Sequence, residues 1–139
     1  MRKLVLIVVV LSLFVIVRTK AQRIDLTGTW KATTKEVSLT EITFGAKDSL
    51  SMVMDSETFG GKDFKYNGKS ATLTYKVDFS VKPAHLKLII QDIGETKETI
   101  VEGLIMIIKP DVVKIAFNFS NGKRPTNFTI SNSSFFKKI

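Results

Sequence analysis

The chain has 139 residues, no cysteine, one histidine and one tryptophan, with 21 basic against 13 acidic residues and a formal net charge of +8. The missing cysteines exclude disulfide scaffolding, thiol catalysis and thiolate-ligated metal. A single imidazole leaves no His-rich spacing for a metal and no partner for a catalytic triad.

The first predicted element is an export signal. Arg2 and Lys3 form a positive head, Leu4 to Val17 are apolar apart from Ser12, and Thr19-Lys20-Ala21 places small residues three before and one before a cut after Ala21. Basic head, short apolar stretch and small-residue exit together mark a secretory signal peptide over 1–21. The apolar run is shorter than the ~20 residues that cross a bilayer. Arg18 and Lys20 leave an uncleaved anchor as the alternative. No cysteine follows the run, so an N-terminal lipid-modified cysteine is excluded. With Arg2, Lys3, Arg18 and Lys20 removed, 17 basic residues face 13 acidic ones, a net charge of +4. That is ordinary surface charge and does not argue for nucleic acid. The mature part, 22–139, has the length of one domain with one core. Its expected location is periplasmic or extracellular, with no stable membrane insertion after cleavage.

The rest of the chain reads as strands. Leu73, Tyr75, Val77 and Phe79 alternate with Thr72, Thr74, Lys76 and Asp78, and Val113, Ile115, Phe117 and Phe119 alternate with Lys114, Ala116, Asn118 and Ser120. Period two is the mark of a strand with one buried face. Similar alternation runs through Leu50, Met52 and Met54, and through Leu86, Leu88 and Ile90. Strands are predicted over 28–37, 39–45, 49–55, 62–66, 71–79, 85–91, 98–108 and 112–119, with 126–137 adding another or completing the closure. The stretch from Thr99 to Lys109 is apolar at nearly every position and reads as a strand buried on both faces. Gly60-Gly61, Asn67-Gly68, Asp92-Ile93-Gly94, Lys109-Pro110-Asp111 and Asn121-Gly122 supply the turns. Many short antiparallel strands joined by tight turns predict an all-β, up-and-down barrel of about eight strands, which removes vulnerable edges. A β-sandwich is the alternative.

Leu26-Thr27-Gly28-Thr29-Trp30-Lys31 resembles the Gly-x-Trp opening of the first strand in lipocalins and lipocalin-like barrels. Together with Lys82-Pro83-Ala84-His85-Leu86 and Gly122-Lys123-Arg124-Pro125-Thr126-Asn127-Phe128, it resembles a bacterial lipocalin-like family of uncharacterised function. The resemblance implies an eight-stranded barrel with an interior cavity. It implies little about activity, because many roles are grafted onto that scaffold. It also implies that Arg124 lies over Trp30 where the barrel closes, a cation–π contact between residues 94 positions apart. The disulfides and C-terminal helix of animal lipocalins have no counterpart here.

Met52, Tyr75, Phe79 and Phe117 are the residues expected to line an interior pocket for an apolar ligand, against the alternative of a simply packed core. His85 reads as a surface or strand-end residue. Glu95, Glu98 and Glu102 read as solvated charge, not as a hydrolytic carboxylate pair. Asn118-Phe119-Ser120, Asn127-Phe128-Thr129 and Asn132-Ser133-Ser134 match the sugar-acceptor pattern and read as coincidence in a chain whose resemblance is bacterial. No nucleophile–base set, cofactor motif or metal cluster is present. The sequence therefore predicts an exported, non-enzymatic binding protein holding a small apolar or amphipathic ligand in its barrel. The alternative is an envelope protein-interaction domain with a packed barrel and no small-molecule ligand.

Overall fold

The computed structural model describes residues 24–34 and 37–139. The expected signal segment and its cleavage site lie outside them. Ten strands follow in chain order: β1 (Gly28–Ala32), β2 (Leu39–Phe44), β3 (Leu50–Met54), β4 (Glu57–Gly60), β5 (Lys65–Tyr66), β6 (Lys69–Asp78), β7 (Ala84–Asp92), β8 (Glu98–Lys109), β9 (Val112–Phe117) and β10 (Ser133–Lys138). One 3-10 turn, Ala46–Asp48, separates β2 from β3. There is no α-helix among the described residues.

All strands pair antiparallel in one sheet, in the order β4-β3-β2-β1-β10-β9-β8-β7-β6-β5. The last strand inserts between β1 and β9, so Trp30 lies opposite Lys138 and Phe136 opposite Val113. The ribbon curls until its ends meet. Ser49 bridges Thr74, and Gly60 of β4 lies against the Leu73 side chain of β6. The result is a nearly closed antiparallel barrel. The sheet has ten strands where about eight were expected, and the short β4 and β5 lie at the seam between β3 and β6. The expected strand at 62–66 is thus replaced by two shorter ones. Asp55 and Ser56 both adopt left-handed φ, +50° and +66°. They make the two-residue turn that starts β4.

Alternation sends Trp30, Ile42, Phe44, Met52, Leu86, Ile105, Ile115 and Phe136 inward, where they are buried. Trp30, Phe44 and Phe136 are the largest of the fully buried side chains. Gly103 of β8 points inward as well, and its lack of a side chain is required. A Cβ there would stand 2.6 Å from both the Ala116 carbonyl oxygen and the Phe117 ring.

Three expected boundaries change. The first strand ends at Ala32, and β9 ends at Phe117. The closing segment, expected over 126–137, shortens to Ser133–Lys138. Residues 118–132 form a long loop folded back on the outside of the barrel. Pro125 cannot donate to a strand ladder and Gly122 is left-handed, so this stretch leaves the sheet. The expectation that β8 is buried on both faces holds only at its centre. Leu104 points outward and is 3% exposed, whereas outward Ile100, Met106 and Ile108 are 41%, 39% and 42% exposed.

Candidate functional site

The four residues expected to line an interior pocket do not all meet in one concavity: Tyr75 and Phe79 share one, and Phe117 borders another. Met52 and Phe117 are buried members of the packed core. Tyr75 is half-buried and meets Phe44 edge-on, with ring centroids 4.8 Å apart and planes at 76°. Burial pushes the Tyr75 hydroxyl above its ordinary pKa, and the carboxylates of Asp48 and Asp25 push it the same way. Phe79 lies outside the core altogether, 49% exposed. The cause is local. Strand β6 ends at Asp78, whose carboxylate accepts hydrogen bonds from the Ser80 amide (2.9 Å) and hydroxyl (2.5 Å). This Asx-type turn carries Phe79 off the inward face. The two bonds, that of the hydroxyl foremost, hold the Asp78 carboxyl below the usual carboxylate range.

Trp30 is the core residue that the sequence suggested, and its indole Nε1 donates to the Leu26 carbonyl at 2.8 Å. The cation over its ring, however, is Lys138, with Nζ 5.5 Å from the ring centroid. Arg124 does not take that place. Its Nη2 donates to Glu102 Oε1 at 2.8 Å on the outside of the barrel. Insertion of β10 beside β1 brings the end of β10 across Trp30 and leaves the Arg124 segment in the outer loop.

The acidic residues are likewise dispersed. Glu95 pairs with Lys69 at 3.0 Å and Glu102 with Arg124 at 2.8 Å, on the outside of the barrel, whereas two other carboxylates, Asp25 and Asp48, border one concavity with Tyr75. Among the described residues no group of three or more histidine or acidic side chains is placed to hold a metal ion. His85 stands on the outer face opposite Asp78 and Leu104.

Three concavities lie around the wall. One, of about 580 Å³, opens where β9 leaves the barrel, beside Ser38, Phe117, Phe119, Ile130 and Asn132. A second, of about 640 Å³, brings the expected ligand residues Tyr75 and Phe79 together beside Leu26, Asp25 and Asp48. There the Thr27 amide holds the Asp25 carboxyl below its usual range. The third, also about 640 Å³, is a groove lined by Phe79, Val81, Pro83, Met106, Thr126 and Phe128. Its walls are the β6–β7 turn, the outer face of β8 and the outer loop.

The groove brings together two segments that are far apart in the chain. Lys82-Pro83-Ala84 comes from one side and Thr126-Asn127-Phe128 from the other. Both belong to motifs singled out in the sequence, but neither carries a period that shows them to be neighbours. Met106 and Phe128 were missed for related reasons. Met106 is an outward residue in an apolar strand, and Phe128 belongs to a segment expected to be a strand. Of the expected ligand residues only Phe79 contributes here. The groove is chemically simple, with aliphatic and aromatic walls and Lys82 at its margin. No family model, curated protein or solved structure matches this chain.

Proposed function

We propose that this chain is an exported, non-enzymatic binding protein that takes a small apolar or amphipathic molecule in the groove outside its barrel. The observation that carries this reading is the groove itself, about 640 Å³ and walled by Phe79, Val81, Pro83, Met106 and Phe128. Concave apolar surface of this size is the usual form of a small-molecule site. The resemblance to lipocalin-like barrels supports a binding role but not the location, because the interior here is occupied by Trp30, Phe44 and Phe136.

Titration with the neutral fluorescent probe N-phenyl-1-naphthylamine tests the site. Phe79→Ala and Met106→Ala should each weaken binding about tenfold, the scale expected when one large apolar contact is lost. Met52→Leu, a volume-conserving change inside the barrel, should leave affinity unchanged. The reverse pattern would place the ligand in the barrel and overturn the groove assignment. Export is tested separately by N-terminal sequencing of the secreted product, which should begin at Gln22.

A second reading has its own observation. Ile100, Met106 and Ile108 on β8 and Phe135 on β10 are all exposed on the outer wall. Apolar surface of this kind fits a protein partner. Failure of the wild-type protein to bind the probe would favour that reading.

A further inference from the structure

Outward-facing side chains of a barrel are ordinarily wet, yet Leu104 and Ala116, register neighbours on β8 and β9, are buried. The loop 118–132 is fixed on both sides of them, by Gly122 and Arg124 at Glu102 and by Phe128 at Lys114, and so passes over this patch. It leaves β9 through a turn in which Asn118 accepts from the Gly122 amide, and it returns through a turn in which Ser133 donates to the Thr129 carbonyl. At its first turn the Gly122 carbonyl accepts from the Glu102 amide at 3.0 Å.

Beyond Gly122 the attachments thin out. Between 123 and 128 no backbone hydrogen bond ties the loop to the barrel. Two side-chain contacts hold it: Arg124 to Glu102 at 2.8 Å, and the Phe128 ring 5.4 Å from Lys114 Nζ. Arg124 Nε is buried and has no hydrogen-bond partner, so the covered position leaves one donor unsatisfied. A segment held by few polar contacts and no ladder belongs to the low-stability end of a protein. The same segment forms one wall of the groove through Thr126 and Phe128.

We propose that residues 118–132 are a flap, hinged at its two turns and latched by the Arg124–Glu102 pair, whose opening uncovers Leu104 and Ala116 and takes the Thr126–Phe128 wall away from the groove. Arg124 and Glu102 are thus positioning residues that set how often the wall stands open. The gating part of this inference rests on the groove reading, whereas the latch does not.

Hydrogen exchange followed by mass spectrometry on the whole chain tests the latch. Arg124→Met keeps most of the apolar stem and removes the donors, and Glu102→Gln removes the charge from the acceptor. Each should raise exchange about tenfold at the bonded Gly122 and Thr129 amides of the 119–131 segment and at the Glu102 amide that donates to Gly122, the scale of a lost charged hydrogen bond, while the other amides of β7–β9 keep wild-type protection. The double variant should exchange no faster than the faster single one, because both act on one contact. Unchanged exchange at the Gly122, Thr129 and Glu102 amides, or a rise shared equally by the rest of β7–β9, overturns the latch.

Stopped-flow binding of N-phenyl-1-naphthylamine tests the gate, with dissociation expected to quicken in both variants because the open flap carries Thr126 and Phe128 away from the probe. A probe that Phe79→Ala removes, but whose rate constants ignore Arg124→Met and Glu102→Gln, shows that the groove stands and the gate does not. Absence of probe binding to the wild type sinks the groove reading and the gate with it, and exchange alone then decides the latch.

Discussion

The two faces of β8 are made of almost the same residues and end in different surroundings. Val101, Ile105 and Ile107 face the barrel interior, and Ile100, Leu104, Met106 and Ile108 face out. On the inner face Ile105 meets side chains from around the wall and is fully buried. On the outer face the flap covers Leu104 and leaves its outward neighbours on β8 about 40% exposed. Closure of the sheet dries the centre of the inner face and leaves Val101 and Ile107, toward its ends, partly buried. A loop dries only the patch it reaches, and its far edge leaves a groove.

The largest effect should come from the interior. Trp30→Ala should lower unfolding free energy by about 3–5 kcal/mol, measured by chemical denaturation. The indole fills the core, and its loss also leaves the Leu26 carbonyl without its donor. Across the two faces of β8 the contrast should be graded. Ile105→Ala should cost about 3 kcal/mol, within the range for a packed core. Leu104→Ala should cost roughly 2 kcal/mol, near the low end of the same range, because the flap can settle into the space. Met106→Ala should change stability by about 0.5 kcal/mol or less, as for an exposed position. Equal losses at Leu104 and Ile105 would show that the flap is as rigid as the wall; a loss at Leu104 no greater than at Met106 would show that it is open most of the time.

Lys138 offers a finer comparison with Arg124. Lys138→Ala should cost on the order of 1 kcal/mol or less and should couple to Trp30→Ala in a double-mutant cycle. Arg124→Met should show no coupling to Trp30, since its partner is Glu102. Coupling of the opposite kind would place the cation of the closing segment back on Arg124.

The smallest effect is in pH. The folded protein holds the carboxyls of Asp25 and Asp78 below their unfolded values. Such groups add stability that is present above the unfolded carboxylate pKa of about 3.9 and is lost as pH falls through the folded value. Asp78→Asn should therefore be slightly less stable than wild type at neutral pH, and the two unfolding midpoints should converge in acid. A gap that persists at low pH would mean that the Ser80 bonds do not depend on the charge.

The fold was largely legible because its signal is local. The pleat turns successive side chains to opposite faces, so Leu73 through Val77 and Val113 through Phe117 announce strands and their buried side without knowledge of any partner. Asn67-Gly68 announced its turn for the same reason, while Asp55-Ser56 was hidden because neither residue is the glycine or asparagine that commonly marks a left-handed pair.

The candidate site was much less legible. Phe79 was read as inward because it continues a period, but one Asx turn at Asp78 takes it out of phase. Export is an expectation carried by the order of charge and hydropathy in residues 1–21, which lie outside the described residues. That β10 pairs with β1, that Lys138 and not Arg124 stands over Trp30, and that Pro83 and Phe128 face one groove were decided only in the tertiary structure. Alternation records which face a residue takes. It carries no record of which strand lies alongside, and outer-wall contacts depend on where a loop without any period comes to rest.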